Sequence, residues 1–233
     1  MAQVLQHDYL SLSSGSGAVS GRSFLNGSKG QAKALRQNGF ETVTGKRLII
    51  GISGASGAIY GVRLLELLRE TGVETHLVVS RAGRTTLAYE MDMKPGDVQA
   101  LADVTYAPED IGAAISSGSF KTDGMIIAPC SVRSMSEIAS GVTSGLLTRA
   151  ADVVLKERRR LVLMLRETPF HRGHIESMAR VTDMGAIVAP PLPAFYTRPQ
   201  SIDDMINHSL GRILDLFDID IDVVRRWTGR PRS

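Results

Sequence analysis

The feature that most constrains this chain is a series of short, almost uninterrupted apolar runs separated by segments with helical spacing. The clearest runs cover residues 47–52, 123–129 and 161–165. Each is too short for a typical helix and too uniformly apolar for a strand with one face in water. Such strands are typical of parallel sheets covered by helices on both faces. The chain from Lys46 onward is therefore predicted to form a doubly wound, mostly parallel sheet in a three-layer sandwich.

Weaker patterns complete this prediction. Further strands are expected at residues 74–80, 104–106 and 186–189, and helices at 62–71, 81–91, 97–101, 134–156 with a break near 141–145, 174–181 and 201–217. The last helix opens with Ser201-Ile202-Asp203-Asp204, a typical helix N-terminus. The alternation of strands and helices indicates one α/β domain of the Rossmann or flavodoxin type over residues 46–233.

Residues 1–45 differ from the rest in composition. They contain seven glycines and seven serines and show no sustained apolar period. Such a segment buries too little apolar surface to offset the entropy of ordering it. We expect a flexible arm, which could be a leader, an organellar transit peptide or an added expression segment.

Charge and cysteine content exclude several classes of function. The 188 residues after the arm carry 23 basic and 22 acidic side chains, which argues against nucleic acid as a partner. The basic run at 156–160 is interpreted as a solvated cluster. No apolar stretch approaches the roughly 20 residues that cross a bilayer, so no membrane association is expected. The single cysteine, Cys130, excludes an internal disulfide and favours a reducing compartment: the cytoplasm, or the mitochondrion if the arm is a transit peptide.

In a doubly wound sheet the ligand binds beyond the carboxyl ends of the strands, so the residues that follow each strand are the candidates. The first strand leads into Ser53-Gly54-Ala55-Ser56-Gly57 and a helix, a turn that suits a phosphate. Ala58 stands where a P-loop needs lysine. The second strand ends at Ser80-Arg81, without the carboxylate that binds a dinucleotide ribose. These loops favour a mononucleotide over NAD.

The later strands end in further candidates. The 129–134 turn carries Cys130, which could be a nucleophile but lacks an obvious histidine base, so a buried, inert thiol is expected. Arg166-Glu167 could be an anion clamp with a proton donor, or a structural ion pair. His171 and His174 have the spacing of a metal pair, but without an acidic partner a structural or surface role is expected.

Together these residues resemble the UbiX-type flavin prenyltransferases, a family that includes the small subunit of hydroxyarylic acid decarboxylases. The resemblance covers residues 46–228 and rests on seven motifs in order: residues 54–61, 117–120, 129–131, 149–157, 166–169, Phe195-Tyr196 and Arg225-Arg226-Trp227. It implies that reduced FMN is alkylated by dimethylallyl phosphate, first at a ring nitrogen and then on the neighbouring aromatic carbon, without a metal. It also implies a homo-oligomer with sites at subunit contacts, and a separate decarboxylase that receives the prenylated FMN.

The resemblance also implies roles for individual residues. Flavin-binding positions match Gly54, Ala55, Ser56, Ser80, Ser131, Val132, Arg133, Ser134 and Arg166. Prenyl-phosphate positions match Lys156, Tyr196 and Arg212, with Trp227 as an aromatic residue close to the substrate, and the catalytic candidates are Ser56, Glu90, Lys156 and Glu167. Ile111 stands where some members carry a tryptophan that faces the prenyl group.

The residue types agree with a reaction in which the prenyl donor is a monophosphate and no metal is needed. Two cations and a phenol hydroxyl can stabilise a departing phosphate. The chain has Asp203-Asp204 but not the second half of the D-D-x-x-D motif that binds magnesium diphosphates. Three alternatives stay open: a non-catalytic FMN-binding small subunit, a flavin-dependent decarboxylase of the phosphopantothenoylcysteine type, and a generic nucleotide-binding module. The second would need a P-x-M-N motif, where this chain has Pro-Cys-Ser-Val.

Overall fold

A computed structural model describes residues 45–91, 93–222, 224, 226 and 229. The predicted arm, apart from Gly45, and the candidate Trp227 lie outside the described residues. Among the described helices, none combines the length and the apolar character needed to span a bilayer.

The sheet has six strands, and every pairing in it is parallel. The strands are β1 (Arg47–Ile52), β2 (Glu74–Val79), β3 (Val104–Tyr106), β4 (Gly124–Cys130), β5 (Arg160–Leu165) and β6 (Ile187–Val188). Their spatial order is β3-β2-β1-β4-β5-β6, the order of the classical dinucleotide-binding sheet. The predicted doubly wound sheet is confirmed, although β6 is two residues shorter than the predicted strand.

Seven α-helices surround the described sheet. They are α1 (Ala58–Arg69), α2 (Arg81–Glu90), α3 (Pro95–Gln99), α4 (Val132–Ser140), α5 (Leu146–Lys156), α6 (Arg172–Asp183) and α7 (Ile202–Asp215). The predicted break between α2 and α3 is present, but α3 begins at Pro95, two residues before the predicted Asp97. Proline is tolerated in the first turn because its missing N–H has no helical partner there.

The two faces of the sheet pack into separate apolar cores. Alternate β1 side chains point to opposite faces, so Ile50 belongs to one core and Ile49 to the other. The first core receives α1, α2, α3 and α7, and the second receives α4, α5 and α6. This arrangement explains why the strand sequences lack a polar face.

The chain reverses its winding direction between β1 and β4, which are neighbours in the sheet. From β1 it winds outward through β2 to β3, and from β4 it winds the other way to β6. The carboxyl ends of β1 and β4 therefore diverge into loops on opposite faces and leave a crevice between them, the usual ligand position in such sheets.

Candidate functional site

Ser53 joins the two loops that border the crevice. Its side chain is fully buried, and its hydroxyl donates to the carbonyl oxygen of Pro129 at 2.8 Å. The same Oγ accepts from the N–H of Ser131 at 2.7 Å. The loop after β1 and the loop after β4 are thus held together by one serine.

We expect Ser53→Ala to lower the free energy of unfolding by about 1–2 kcal/mol, because the Ser131 N–H loses its acceptor. Pro129 keeps a backbone bond from the Ser53 N–H. Urea unfolding followed by circular dichroism measures the change. Ser140→Ala is the control, since the hydroxyl of this exposed serine donates to the Ser136 carbonyl oxygen within the same helix, α4. Equal stability of both variants would contradict the role assigned to Ser53.

Glu90, at the end of α2, occupies the N-terminus of α1. Its Oε2 accepts from the N–H groups of Gly57 at 2.8 Å and Ala58 at 2.9 Å, and the Ser56 hydroxyl also hydrogen-bonds to this carboxylate. The sequence assigned these N–H groups to a phosphate. In the structure Glu90 takes that position, because a helix N-terminus accepts any nearby anion.

The electrostatics of Glu90 follow from these contacts. Burial by itself raises the pKa of this carboxyl, but hydrogen bonds from Ser56, Ala58 and Gly57 and the charge of Arg166 outweigh it, so the pKa lies below its ordinary value. Burial raises the pKa of Tyr60, and the Arg166 charge opposes that rise. The positive charge of Arg166 thus acts on both Glu90 and Tyr60, and two predicted site residues, Ser56 and Glu90, are in direct contact.

A cavity of about 390 Å³ opens next to these loops. Its hydroxyl lining includes Ser80, Ser131 and Ser134, and its apolar lining includes Ile111 and Leu147. The full lining is Gly54, Ser80, Arg81, Ala82, Pro108, Glu109, Ile111, Ser131, Arg133, Ser134, Glu137, Ser144, Gly145, Leu147 and Thr148. This volume lies within the usual range for small-molecule sites.

Two helices begin at the rim of the cavity. Ser80 caps α2 by accepting from Gly83 N–H at 3.0 Å, and Ser131 caps α4 by accepting from Ser134 N–H at 3.2 Å. The positive ends of both helix dipoles therefore meet the cavity. Gly54 lies so close to α2 that an added Cβ would be 2.4 Å from the Cβ of Ala82. Only glycine allows this approach.

Both arginines in these first helical turns are paired with carboxylates. Arg81 Nε lies 2.5 Å from Glu109 Oε1, and Arg133 Nε lies 2.9 Å from Glu137 Oε1. The hydroxyl of Ser144 donates to the second oxygen of Glu137 at 2.6 Å. The cavity thus contains cations, but each is already partly neutralised.

Arg166 and Glu167 follow β5 directly. The Arg166 N–H donates to the carbonyl of Cys130 at 3.0 Å, which fixes this segment against the end of β4. The Glu167 Oε1 accepts from the N–H of Thr168 at 2.9 Å. Among the described residues, Arg166 and Glu167 form no ion pair with each other, and this geometry favours the anion-clamp interpretation over a structural ion pair.

Tyr196 and the remaining flavin-binding candidates also lie at the carboxyl edge. Tyr196 follows β6, and its hydroxyl lies 3.2 Å from Nε2 of the buried His208 on α7. Ala55 belongs to the first loop, and Val132 begins α4 and packs against the second core. These candidates therefore lie at the edge of the sheet where the crevice opens.

Lys156 and Arg212 lie elsewhere. The 11-residue helix α5 starts beside the cavity and ends at Lys156, so its two ends are about 16 Å apart. Lys156 Nζ contacts Glu157 Oε1 at 2.5 Å near the amino end of β5. Arg212 is in the last turn of α7, just before Phe217, which packs against Gly124 at the amino end of β4. Within a single chain, neither cation therefore lies beside Arg166.

The structure assigns local roles to Cys130 and His171. Cys130 is completely buried, as predicted, and burial raises the pKa of its thiol to about 12, which disfavours the thiolate that a nucleophile needs. His171 caps α6, where its Nδ1 accepts from Gly173 N–H at 3.1 Å, and its ring lies against that of His174, with the centroids 3.5 Å apart and the planes tilted by 32°. A structural role for this pair is confirmed.

Sequence reasoning missed two parts of the cavity wall. One is the segment Pro108–Ile111, of which only Ile111 was noted, and the other is the segment Ser144–Thr148 at the start of α5. The backbone N–H of Leu146 donates to the Pro108 carbonyl at 2.9 Å, which joins the two segments. The glycine-rich break at 141–145 was a usable signal, because a helix that restarts there points its N-terminus at the same crevice.

Comparison with known proteins gives a consistent result. The family model described as Flavoprotein matches residues 38–214. The flavin prenyltransferase UbiX of Escherichia coli strain K12 is 60% identical over 187 residues, which are 79% of this chain and 99% of that protein. The UbiX of Thauera aromatica is 55% identical over 183 residues, covering 78% of this chain and 94% of its own length.

Two solved structures match closely. One is a crystal structure of AnUbiX (PadA1) with FMN and dimethylallyl pyrophosphate, at a TM-score of 0.78 and 48% identity, covering 79% of this chain and 98% of that one. The other is a dodecameric FMN-dependent UbiX-like decarboxylase from Escherichia coli O157:H7, at a TM-score of 0.77 and 49% identity, covering 78% and 100%.

Proposed function

Because this chain belongs to the UbiX-type flavin prenyltransferases within the flavoprotein family, we propose that it transfers a dimethylallyl group from dimethylallyl phosphate to reduced FMN. The reaction forms a carbon–nitrogen bond and then a carbon–carbon bond on the flavin, and it releases inorganic phosphate. The observation that carries the proposal is the hydroxyl-lined cavity at the switch between β1 and β4, with the capped N-termini of α2 and α4 at its rim.

The cavity suits FMN as the substrate. The capped ends of α2 and α4, with Ser80, Ser131 and Ser134, offer hydroxyl and N–H groups to a phosphate ester. Ile111 and Leu147 offer apolar surface to a flat ring system. The bare backbone of Gly54 lets the amino end of α2 lie against the loop after β1, so that Ser80 and Gly54 line the same cavity.

We further propose that the transfer needs no metal. Across residues 45–91 and 93–222, no group of three or more histidine, cysteine or carboxylate side chains is placed to bind an ion. The developing charge on the departing phosphate would instead be stabilised by Arg166, Arg212, Lys156 and the Tyr196 hydroxyl. A monophosphate, which carries less charge than a diphosphate, fits such a set of donors.

The separation of Lys156 and Arg212 from the cavity supports a homo-oligomeric site. Lys156 is about half exposed at the opposite edge of its own sheet, so it can contact another copy. The AnUbiX and Escherichia coli O157:H7 structures belong to the same family, and the second is described as dodecameric. We propose that both cations of one chain complete the site of a neighbouring chain.

Mixed assemblies test this arrangement. Arg166→Ala and Lys156→Ala should each lower kcat/KM about tenfold to a hundredfold, because each removes a charged hydrogen-bond donor. If the two residues of one site come from different chains, unfolding and refolding the variants together should restore about a quarter of the sites by random association. If the activity of the refolded mixture does not exceed the summed activities of the two separate variants, a shared site is contradicted.

The main experiment is an anaerobic incubation of the chain with reduced FMN and dimethylallyl phosphate, followed by mass spectrometry of the released flavin. We expect a gain of one isoprenoid unit, unaffected by a chelator and slower with the diphosphate. An unchanged flavin would instead indicate a non-catalytic FMN-binding subunit. Loss of product in the presence of the chelator would overturn only the proposal that no metal is needed, and the proposed transfer itself would stand.

Two further expectations stay predictions. The product is expected to serve a separate decarboxylase that depends on prenylated FMN, and the chain is expected in the cytoplasm. Adding the product to a decarboxylase without cofactor, and measuring the release of carbon dioxide from an aromatic acid, tests the first.

A further inference from the structure

Two arginines share one carboxylate at the end of α7. Arg212 Nη1 donates to Asp215 Oδ2 at 2.5 Å. Arg226, from the segment that follows α7, donates to the same Oδ2 at 3.0 Å and to Oδ1 at 2.8 Å. Arg226 belongs to the Arg225-Arg226-Trp227 motif, to which the sequence assigned no function beyond Trp227.

The two arginines bind Asp215 in different ways. Arg226 forms a two-pronged contact with both oxygens and also donates to Asp220 Oδ1 at 2.8 Å. Arg212 uses a single nitrogen and is 56% exposed, so most of its guanidinium is available to another anion. Bidentate pairs are the stronger and more directional of the two geometries.

Asp215 is the competitor that a phosphate must displace. Its side chain is only 18% exposed, so the carboxylate is poorly hydrated and depends on its partners. If Arg212 were its only partner, moving Arg212 to a phosphate would leave a largely buried charge unpaired, which is unfavourable. With Arg226 in place, Asp215 keeps two hydrogen bonds after Arg212 leaves.

We infer that Arg226 is a positioning residue that makes Arg212 available to the prenyl phosphate by holding Asp215. This inference rests on the proposed contact between Arg212 and the phosphate. Arg226 itself touches Asp215 and Asp220. Its effect on the reaction therefore has to pass through Asp215, and removal of Asp215 should cancel it.

A double-variant cycle on the full chain tests this directly. kcat and the KM for dimethylallyl phosphate are measured for the unmodified chain, Arg226→Gln, Asp215→Asn and the double variant. We expect Arg226→Gln to raise KM about fivefold with little change in kcat, since Asp215 then retains Arg212. The KM of Asp215→Asn should stay within twofold of that of the unmodified chain, and the KM of the double variant should return to the same range.

Two further variants separate this role from loss of structure. Arg226→Lys keeps the charge but cannot form the two-pronged contact with Asp215, so its KM should fall between those of the unmodified chain and Arg226→Gln. Arg180→Gln removes an exposed arginine of α6 and should leave KM unchanged. Rescue by Asp215→Asn also excludes misfolding, since a misfolded chain would not regain activity through a second substitution.

Each remaining result overturns the inference. An unchanged KM in Arg226→Gln shows that Arg226 does not influence Arg212. A raised KM that persists in the double variant shows that Arg226 acts other than through Asp215. Absence of prenyl transfer by the unmodified chain overturns the proposed function, and this inference with it, whereas the first two results leave the proposed function intact.

Discussion

In the Glu167→Gln variant, the carbon–carbon bond that closes a fourth ring on the flavin is expected to form about a thousandfold more slowly than in the unmodified chain. Closing that ring requires a proton to be delivered and another to be removed, and a positioned carboxyl contributes roughly this factor. Glu90 is less suited to the task, because its carboxylate already accepts from Gly57 and Ala58 and its pKa is lowered. Glu167, next to Arg166, accepts a local bond from Thr168 N–H, and within the described part of the chain its carboxylate has no other hydrogen bond.

Rapid-quench sampling followed by chromatography of the released flavin measures the effect. The amide of glutamine can still accept from Thr168 N–H, so the segment after β5 should keep its structure. Glu176→Gln, which removes an exposed carboxylate of α6, is the matched control. A normal rate of ring formation in Glu167→Gln would exclude Glu167 from the proton transfer.

Gly61→Ala is expected to lower the free energy of unfolding by about 3 kcal/mol or more. A Cβ at this position would lie 2.4 Å from the Ala128 carbonyl oxygen and 2.7 Å from two side-chain carbons of Ile52. Because the oxygen belongs to the backbone of β4, helix α1 itself would have to move away from the sheet. The loop after β1, and with it the cavity, would move as well.

Urea denaturation and FMN titration measure the two effects. Gly96→Ala is the control, because nothing lies within 4 Å of a Cβ there. In α3 that change should be neutral or stabilising by up to about 1 kcal/mol. Unaltered stability of Gly61→Ala would show that α1 does not depend on this close contact.

Most of the fold could be predicted because its signals are local. The uniformly apolar run Arg47–Ile52 indicates a strand covered on both faces, and Ser201 with Asp204 indicates where α7 begins. The start of α3 was misplaced because proline both ends helices and opens them. Strand order was not predictable in this way, since it depends on which faces the helices cover.

The site was predictable only where its residues directly follow strands. Ser80, Ser131 and Arg166 satisfy that rule, and the structure places all three at the same edge of the sheet. Lys156 and Arg212 come from the family resemblance, and their helices carry them to the opposite edge. Glu90 was predicted near the site, but its contact with the first helix depends on how α1 and α2 pack, which no local pattern encodes.

The placement of Lys156 and Arg166 at opposite edges of the sheet gives each molecule two unlike ends. Docking one end onto the other is a heterologous contact, and repeating it extends a filament unless the rotation between successive copies brings the last back to the first. For the proposed shared site, end-to-end docking therefore gives a finite particle only if the ring closes, and dilution to chain concentrations below the dissociation constant of the contact would leave every copy with half of a reaction centre.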